Sequence, residues 1–136
     1  MADFTFKANN AVLENRYVTY SELGLTPPSY TSGYFYSWGV NADGQLGLGN
    51  TTSRSSPVQV GALTNWSRVI AGYNHSLAVK TDGTLWSWGL NARLSGGTGQ
   101  LGLGDIVHRS SPVQVGALTN WSQAAAGTDH SLAVTG

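Results

Sequence analysis

From Tyr34 onward the chain is written in short alternating runs separated by turn residues. Leu85-Trp-Ser-Trp-Gly89 alternates strictly, and His75-Ser-Leu-Ala-Val79 is a compact apolar run. Successive side chains of a strand face opposite ways, so runs of this length and alternation predict half-buried strands. Asp82-Gly83 separates the two runs, and Asp-Gly tolerates the positive φ of a tight hairpin turn; strand, turn, strand is the expectation over residues 75–89. Ser56-Pro-Val-Gln-Val-Gly-Ala-Leu63 predicts another strand, with Pro57 at its start, where a missing N–H matters least. Ser67-Arg-Val-Ile-Ala-Gly72 predicts one more. No segment here sustains a helical period of 3.6.

The pattern occurs twice. Arg54 to Ser67 recurs unchanged as Arg109 to Ser122, 55 positions on, as do Gly44 to Gly49 (GQLGLG) and His75 to Val79 (HSLAV). Ser37-Trp-Gly39 and Asn41-Ala42 recur at an offset of 50, so the second copy carries five extra residues between Ala92 and Gly99. Four short strands in about fifty residues make one propeller blade. The fold class expected is all-β: a partial β-propeller of two roughly 50-residue, four-stranded blades, with two propeller-type repeats over 34–84 and 85–136 after a non-repeat segment over 1–33.

The series W-G-x-N, G-Q-L-G-L-G, P-x-x-V, a Trp-centred turn, A-G-x-x-H-S-L-A-V and D-G-x-L-W-S-W-G resembles the regulator-of-chromosome-condensation repeat, over Tyr34 to Gly136. That resemblance implies closed propellers serving as exchange factors, enzyme inhibitors, scaffolds or partner-binding modules, and constrains function only that far. Ran-type nucleotide exchange belongs to some members and has no identifiable residues here.

Two blades do not close a ring, since propellers have roughly four to eight. The repeat region opens on a lone Trp-containing strand, Tyr34 to Gly39, and stops on HSLAV, before the turn and LWSWG that should follow. The leading strand is therefore the element that the last blade lacks. Either neighbouring copies exchange it in a homo-oligomeric ring, or the blades pack in a larger assembly, or the chain is a fragment of a longer propeller.

Residues 1–33 read as an adaptor or tether. FTFK suggests a short strand, Thr19-Tyr-Ser-Glu22 has capping-box form, and Pro27-Pro28 opens an extended linker. LENRYVTYSEL resembles adaptors of phage and other virion appendage proteins. No stretch reads as a signal peptide, so synthesis in the cytoplasm, with incorporation into a virion, is the expectation.

Composition narrows the chemistry. Charged residues are 10% of the chain, seven basic against seven acidic, and the basic ones are scattered, which argues against nucleic acid. No run is long enough to insert into a membrane. With no cysteine there is neither thiolate metal site nor Cys nucleophile. Gly97-Thr-Gly-Gln-Leu-Gly102 matches G-x-G-x-x-G, but no helix follows it, so no nucleotide is expected. His75 and His130 recur at one blade position and are read as structural, and His108 as an exposed loop residue, so no metal is expected. Asp43 and Asp82 sit in turns, Asp105 begins a loop, and the contiguous Asp129-His130-Ser131 cannot form a triad in one strand. Neither cofactor nor enzyme activity is predicted.

What remains is recognition. The copies diverge at Arg93, Leu94, Ser95 and Thr98 of the insertion and at Ile106, Val107 and His108, and these loops are the candidate partner contacts. Trp66 and Trp121, in Thr-Asn-Trp-Ser turns, either cap the blades or face outward, where they could stack on sugars. The leading expectation is a structural or adhesion module, plausibly virion-associated. A soluble protein-binding propeller and a glycan-binding module are the alternatives.

Overall fold

The computed structural model describes residues 7–8, 11–12, 24, 33–93 and 96–136, and no helix occurs among them. The chain divides into two compact units, Met1–Tyr30 and Thr31–Gly136. In the first, β1 (Lys7–Ala8) pairs antiparallel with β2 (Ala11–Val12). The capping-box residues Thr19 to Glu22 and the Pro27-Pro28 linker lie outside the described residues.

The second unit is a partial propeller. Its centre is one complete four-stranded antiparallel sheet, in the order β10 (Arg109–Gln114), β7 (Leu85–Gly89), β6 (His75–Lys80), β5 (Trp66–Ala71). On one side stands a leading half-blade, β3 (Tyr36–Gly39) with β4 (Arg54–Gln59), and on the other a trailing half-blade, β11 (Trp121–Ala126) with β12 (Ser131–Thr135). The insertion folds into a small hairpin, β8 (Ala92–Arg93) against β9 (Gly96–Gly97).

Two expectations are corrected here. Residues 34–84 and 85–136 are repeats in sequence but not blades in space. The SWG-bearing strand β7 pairs with β6 before it and with β10 after it, so each blade spans the join between two sequence repeats. Two four-stranded blades therefore become one complete blade and two halves. The predicted start at Pro57 is also late, since β4 begins at Arg54. Pro57 and Pro112 fall where the register shifts, between Arg54 and Val58 and between Arg109 and Val113, and a missing N–H costs no ladder bond there.

A buried asparagine ties each long loop to its blade. Asn91, wholly buried, donates Nδ2–H to the carbonyls of Asp105 (2.9 Å) and Val107 (3.2 Å), while its Oδ1 accepts from Leu101 N (3.0 Å). Asn41 does the same with Asn50 and Thr52 carbonyls (2.9 and 3.0 Å) and Leu46 N (2.9 Å). The loop backbone has no ladder partners here, and the carboxamide supplies both donors and an acceptor. Ser37 and Ser87 fix the same loops from the strand, each Oγ–H donating 2.8 Å to the carbonyl of Leu46 or Leu101. These contacts account for S-W-G-x-N as a unit.

The core is aromatic. Trp66, Ala78 and Trp88 are buried together, with Phe35 and Trp86 packed against them and Trp66 edge-on to both Trp86 and Trp88. Lys80, opposite Trp66 in the β5–β6 ladder, lays its Nζ over Trp86 (3.6 Å) and Trp66 (4.8 Å). Burial holds its ammonium below the usual lysine range, partly offset by Asp82.

Asn91→Ala would strand buried backbone donors and acceptors at about 1–3 kcal/mol each. Chemical denaturation should show a loss of roughly 3 kcal/mol in this variant, against about 0.5 kcal/mol or less for the exposed Tyr73→Ala. Equal, small losses in both would mean that the Asn91 contacts do not hold the loop.

Candidate functional site

The two segments where the copies diverge come together. An ideal Cβ on Gly97, in the insertion hairpin, would stand 2.7 Å from Ile106 Cγ2, so β9 lies directly against the Asp105–His108 loop. Ile106 and Val107 project from this junction with 55% and 58% of their surface exposed, on backbone that is held from below. Asp105 Oδ1 accepts from Val107 N (2.9 Å), and its Oδ2 accepts from Arg109 Nη2 (2.7 Å). The Val107 amide and the Arg109 guanidinium hold the Asp105 carboxyl below the usual carboxylate range. The result is an exposed apolar pair on a braced loop, and a braced loop has little conformational freedom left to lose.

His108 was expected to be merely exposed. It is exposed, yet its Nδ1 accepts the Asn91 N–H (2.9 Å), the job done by Ser53 Oγ for Asn41 N (3.1 Å). A backbone amide only donates, so Nδ1 is unprotonated and the ring proton sits on Nε2. Arg93 forms an ion pair with Asp129 across to the trailing half-blade, on the exposed surface. Thr98 Oγ1 hydrogen-bonds Gln100 Oε1 at the far end of the insertion. Leu94 and Ser95, the tip of the hairpin, lie outside the described residues.

The turn tryptophans do not share this surface. Trp66 is the first residue of β5, not a turn residue, and is 7% exposed among the other core aromatics, so it offers no face for sugar stacking. Trp121 is half-buried and lines a cleft of about 370 Å³ beside β12.

Asp129-His130-Ser131 is divided among neighbours, and only Ser131 lies in a strand, as the first residue of β12. Ser131 donates Oγ–H to the Gln100 carbonyl (2.8 Å) and meets His75 Nε2 of the complete blade at 2.9 Å, while Asp129 faces Arg93. Since the hydroxyl proton goes to Gln100, His75 is the donor to Ser131 and its Nδ1 is bare, buried and without a partner. The A-G-x-x-H motif follows from packing: a Cβ on Gly72 would stand 2.7 Å from His75 Cε1, and one on Gly127 would collide with His130 Cε1. Asp82 accepts from Thr84 N and Oγ1, and Thr84 in turn accepts from Trp86 Nε1, a turn-bracing chain. Among the described residues no group of three or more His, Cys, Asp or Glu is placed to hold a metal ion.

Burial lowers the His75 pKa, with Asp129 opposing and His130 adding to the effect. The neutral ring is favoured in the fold, so below about pH 6.5 the unfolded chain binds a proton that the folded chain refuses. Stability is then fully present above that pH and declines as pH falls toward the folded-state value. Urea midpoints measured between about pH 7.5 and about pH 5.5 should fall, and His75→Gln should flatten the slope. An unchanged slope would remove His75 as the cause.

The profile of the regulator of chromosome condensation (RCC1) repeat matches residues 32–79 and 82–134. The chain is 42% identical over 86 residues to the human "Probable E3 ubiquitin-protein ligase HERC3", covering 61% of this chain and 8% of that one. Among solved structures it superposes on human WBSCR16 with a TM-score of 0.63 and 26% identity, over 77% of this chain and 27% of that one. It superposes equally on Prp20p from Saccharomyces cerevisiae, TM-score 0.63 at 21% identity, over 75% and 26% of the two chains. The latter structure was described with its binding properties to Gsp1p and histones. The chain thus spans about a quarter or less of these proteins.

Proposed function

The chain belongs to the regulator of chromosome condensation (RCC1) repeat family, and from that premise we propose that it is a non-enzymatic module that binds a protein partner through the ridge at Ile106 and Val107. One observation carries this reading. The insertion and the changed Ile106–His108 loop of the second copy meet in the fold, and there they present an exposed, braced apolar pair. Exposed hydrophobes rimmed by charge suit a protein interface, and the Arg93–Asp129 and Asp105–Arg109 pairs supply the rim.

The relatives favour the partner-binding alternative over the virion reading, to which they lend nothing. Prp20p, with its reported binding to Gsp1p and histones, is a family precedent for protein recognition. The ligase activity in the name of HERC3 is not carried over, since the match takes in 8% of that protein. The glycan reading loses Trp66 to the core.

Ile106→Asp combined with Val107→Asp tests the ridge. In cells of the source organism, the tagged wild-type chain should retain a discrete protein that the double variant loses, with affinity down tenfold or more, equivalent to about 1.4 kcal/mol. The thermal midpoints should stay together, because both side chains are exposed. Undiminished binding by the folded double variant would exclude this surface.

A further inference from the structure

The leading half-blade and the complete blade meet at the Gln45 carbonyl, which accepts both Ser76 Oγ–H and Trp88 Nε1–H at 2.8 Å. In the junction that this indole completes there remains a cleft of about 290 Å³. Leu48, Val60 and Leu63 of the half-blade side make one wall, and Trp66, Lys80 and Trp86 of the complete blade make the other. A concave, mostly apolar space with a few polar groups is the ordinary form of a small-ligand site, and this one lies at the lower end of the usual sizes.

Lys80 is the unusual member. Ser76, Ala78 and Lys80 share one face of β6, with Trp66 opposite Lys80 and Trp86 opposite Ala78. The lysine is therefore turned inward and is only 5% exposed. Lysine is almost never buried to this degree without a counter-charge. The ion pairs among the described residues are Arg93–Asp129 and Arg109–Asp105, and neither includes it. Its Nζ rests on the Trp86 and Trp66 faces, which return less than the lost hydration costs. A second observation is independent of the first. Trp66 Nε1–H is also buried and has no hydrogen-bond partner. Apart from the exposed Ser111 hydroxyl, the side chains lining the cleft offer donors and no acceptor. The cation is not part of the duplication, since HSLAV is followed by Lys80 in one copy and by Thr135 in the other.

We propose that this cleft binds a small organic acid, with its carboxylate on the Lys80 ammonium and its apolar group against the tryptophans and the Leu48, Val60 and Leu63 wall. A carboxylate supplies the charge that Lys80 lacks and brings acceptors to a site that holds donors. The apolar group displaces water from walls that gain nothing by being wet. An amine of the same shape would meet a like charge and is excluded. This site is separate from Ile106 and Val107, neither of which lines it.

In the ¹⁵N-labelled chain the indole N–H signals of Trp66 and Trp86 report on the cleft. Phenylacetate titrated to about 10 mM should shift both signals saturably, and phenylacetamide, the same shape without the charge, should bind at least tenfold more weakly. Lys80→Met keeps the apolar length of the side chain and removes the ammonium, so affinity for phenylacetate should fall tenfold or more. Should that variant not fold, the comparison of acid with amide on the native chain still decides. The Ile106→Asp and Val107→Asp double variant should bind phenylacetate as the native chain does, which keeps the two surfaces distinguishable. Equal binding of acid and amide, undiminished binding by folded Lys80→Met, or no saturable shift at about 10 mM phenylacetate overturns the proposal.

Discussion

One backbone carbonyl, that of Gln45, joins the leading half-blade to the complete blade, and much of the motif structure exists to serve it. It accepts Trp88 Nε1–H and Ser76 Oγ–H at once, so a single loop position fixes both inner strands of the next blade. Hydrogen bonds of this kind contribute about 1 kcal/mol each, and the indole they orient buries far more apolar surface than they do. The surrounding residues follow. Gly47 must lack a side chain because the indole rests on it, and Asn41 and Ser37 hold the loop so that the carbonyl points outward. The second junction repeats the arrangement with Gln100, Ser131, Asn91 and Ser87.

Much of this architecture was legible in the sequence. The short alternating runs, the Asp-Gly hairpin and the duplication led directly to an all-β partial propeller, which the fold and its relatives show. The division into blades was not legible. A repeat has no intrinsic start, and only hydrogen-bond partners reveal that β7 belongs with both β6 and β10. Trp66 was misplaced for a related reason. The strand begins one residue before the polar Ser67 suggested, and that one residue puts the indole opposite Lys80, inside the core. Lys80 itself drew no notice, because a lysine at the end of an apolar run ordinarily faces solvent.

The candidate contact surface was half visible. Divergence between copies pointed to the insertion and to Ile106–His108, but nothing in the spacing says that the two touch, since Gly97 and Ile106 meet through the fold of the loop. Nor could the sequence show that His108 substitutes for the Ser53 hydroxyl as the acceptor of a backbone amide. The duplicated Gln, Ser and Asn residues make the junctions, while the insertion and the Ile106–His108 loop lie outside them.

The account rests on the Trp88 indole being held at the Gln45 carbonyl, and hydrogen exchange at that indole tests it most directly. In the ¹⁵N-labelled chain, the Trp88 Nε1–H should exchange only with opening of the whole complete blade, as slowly as the amides at the centre of β6 and β7. Exchange at the rate of an unstructured tryptophan would contradict it, and the junction would then have to be held by something other than this carbonyl.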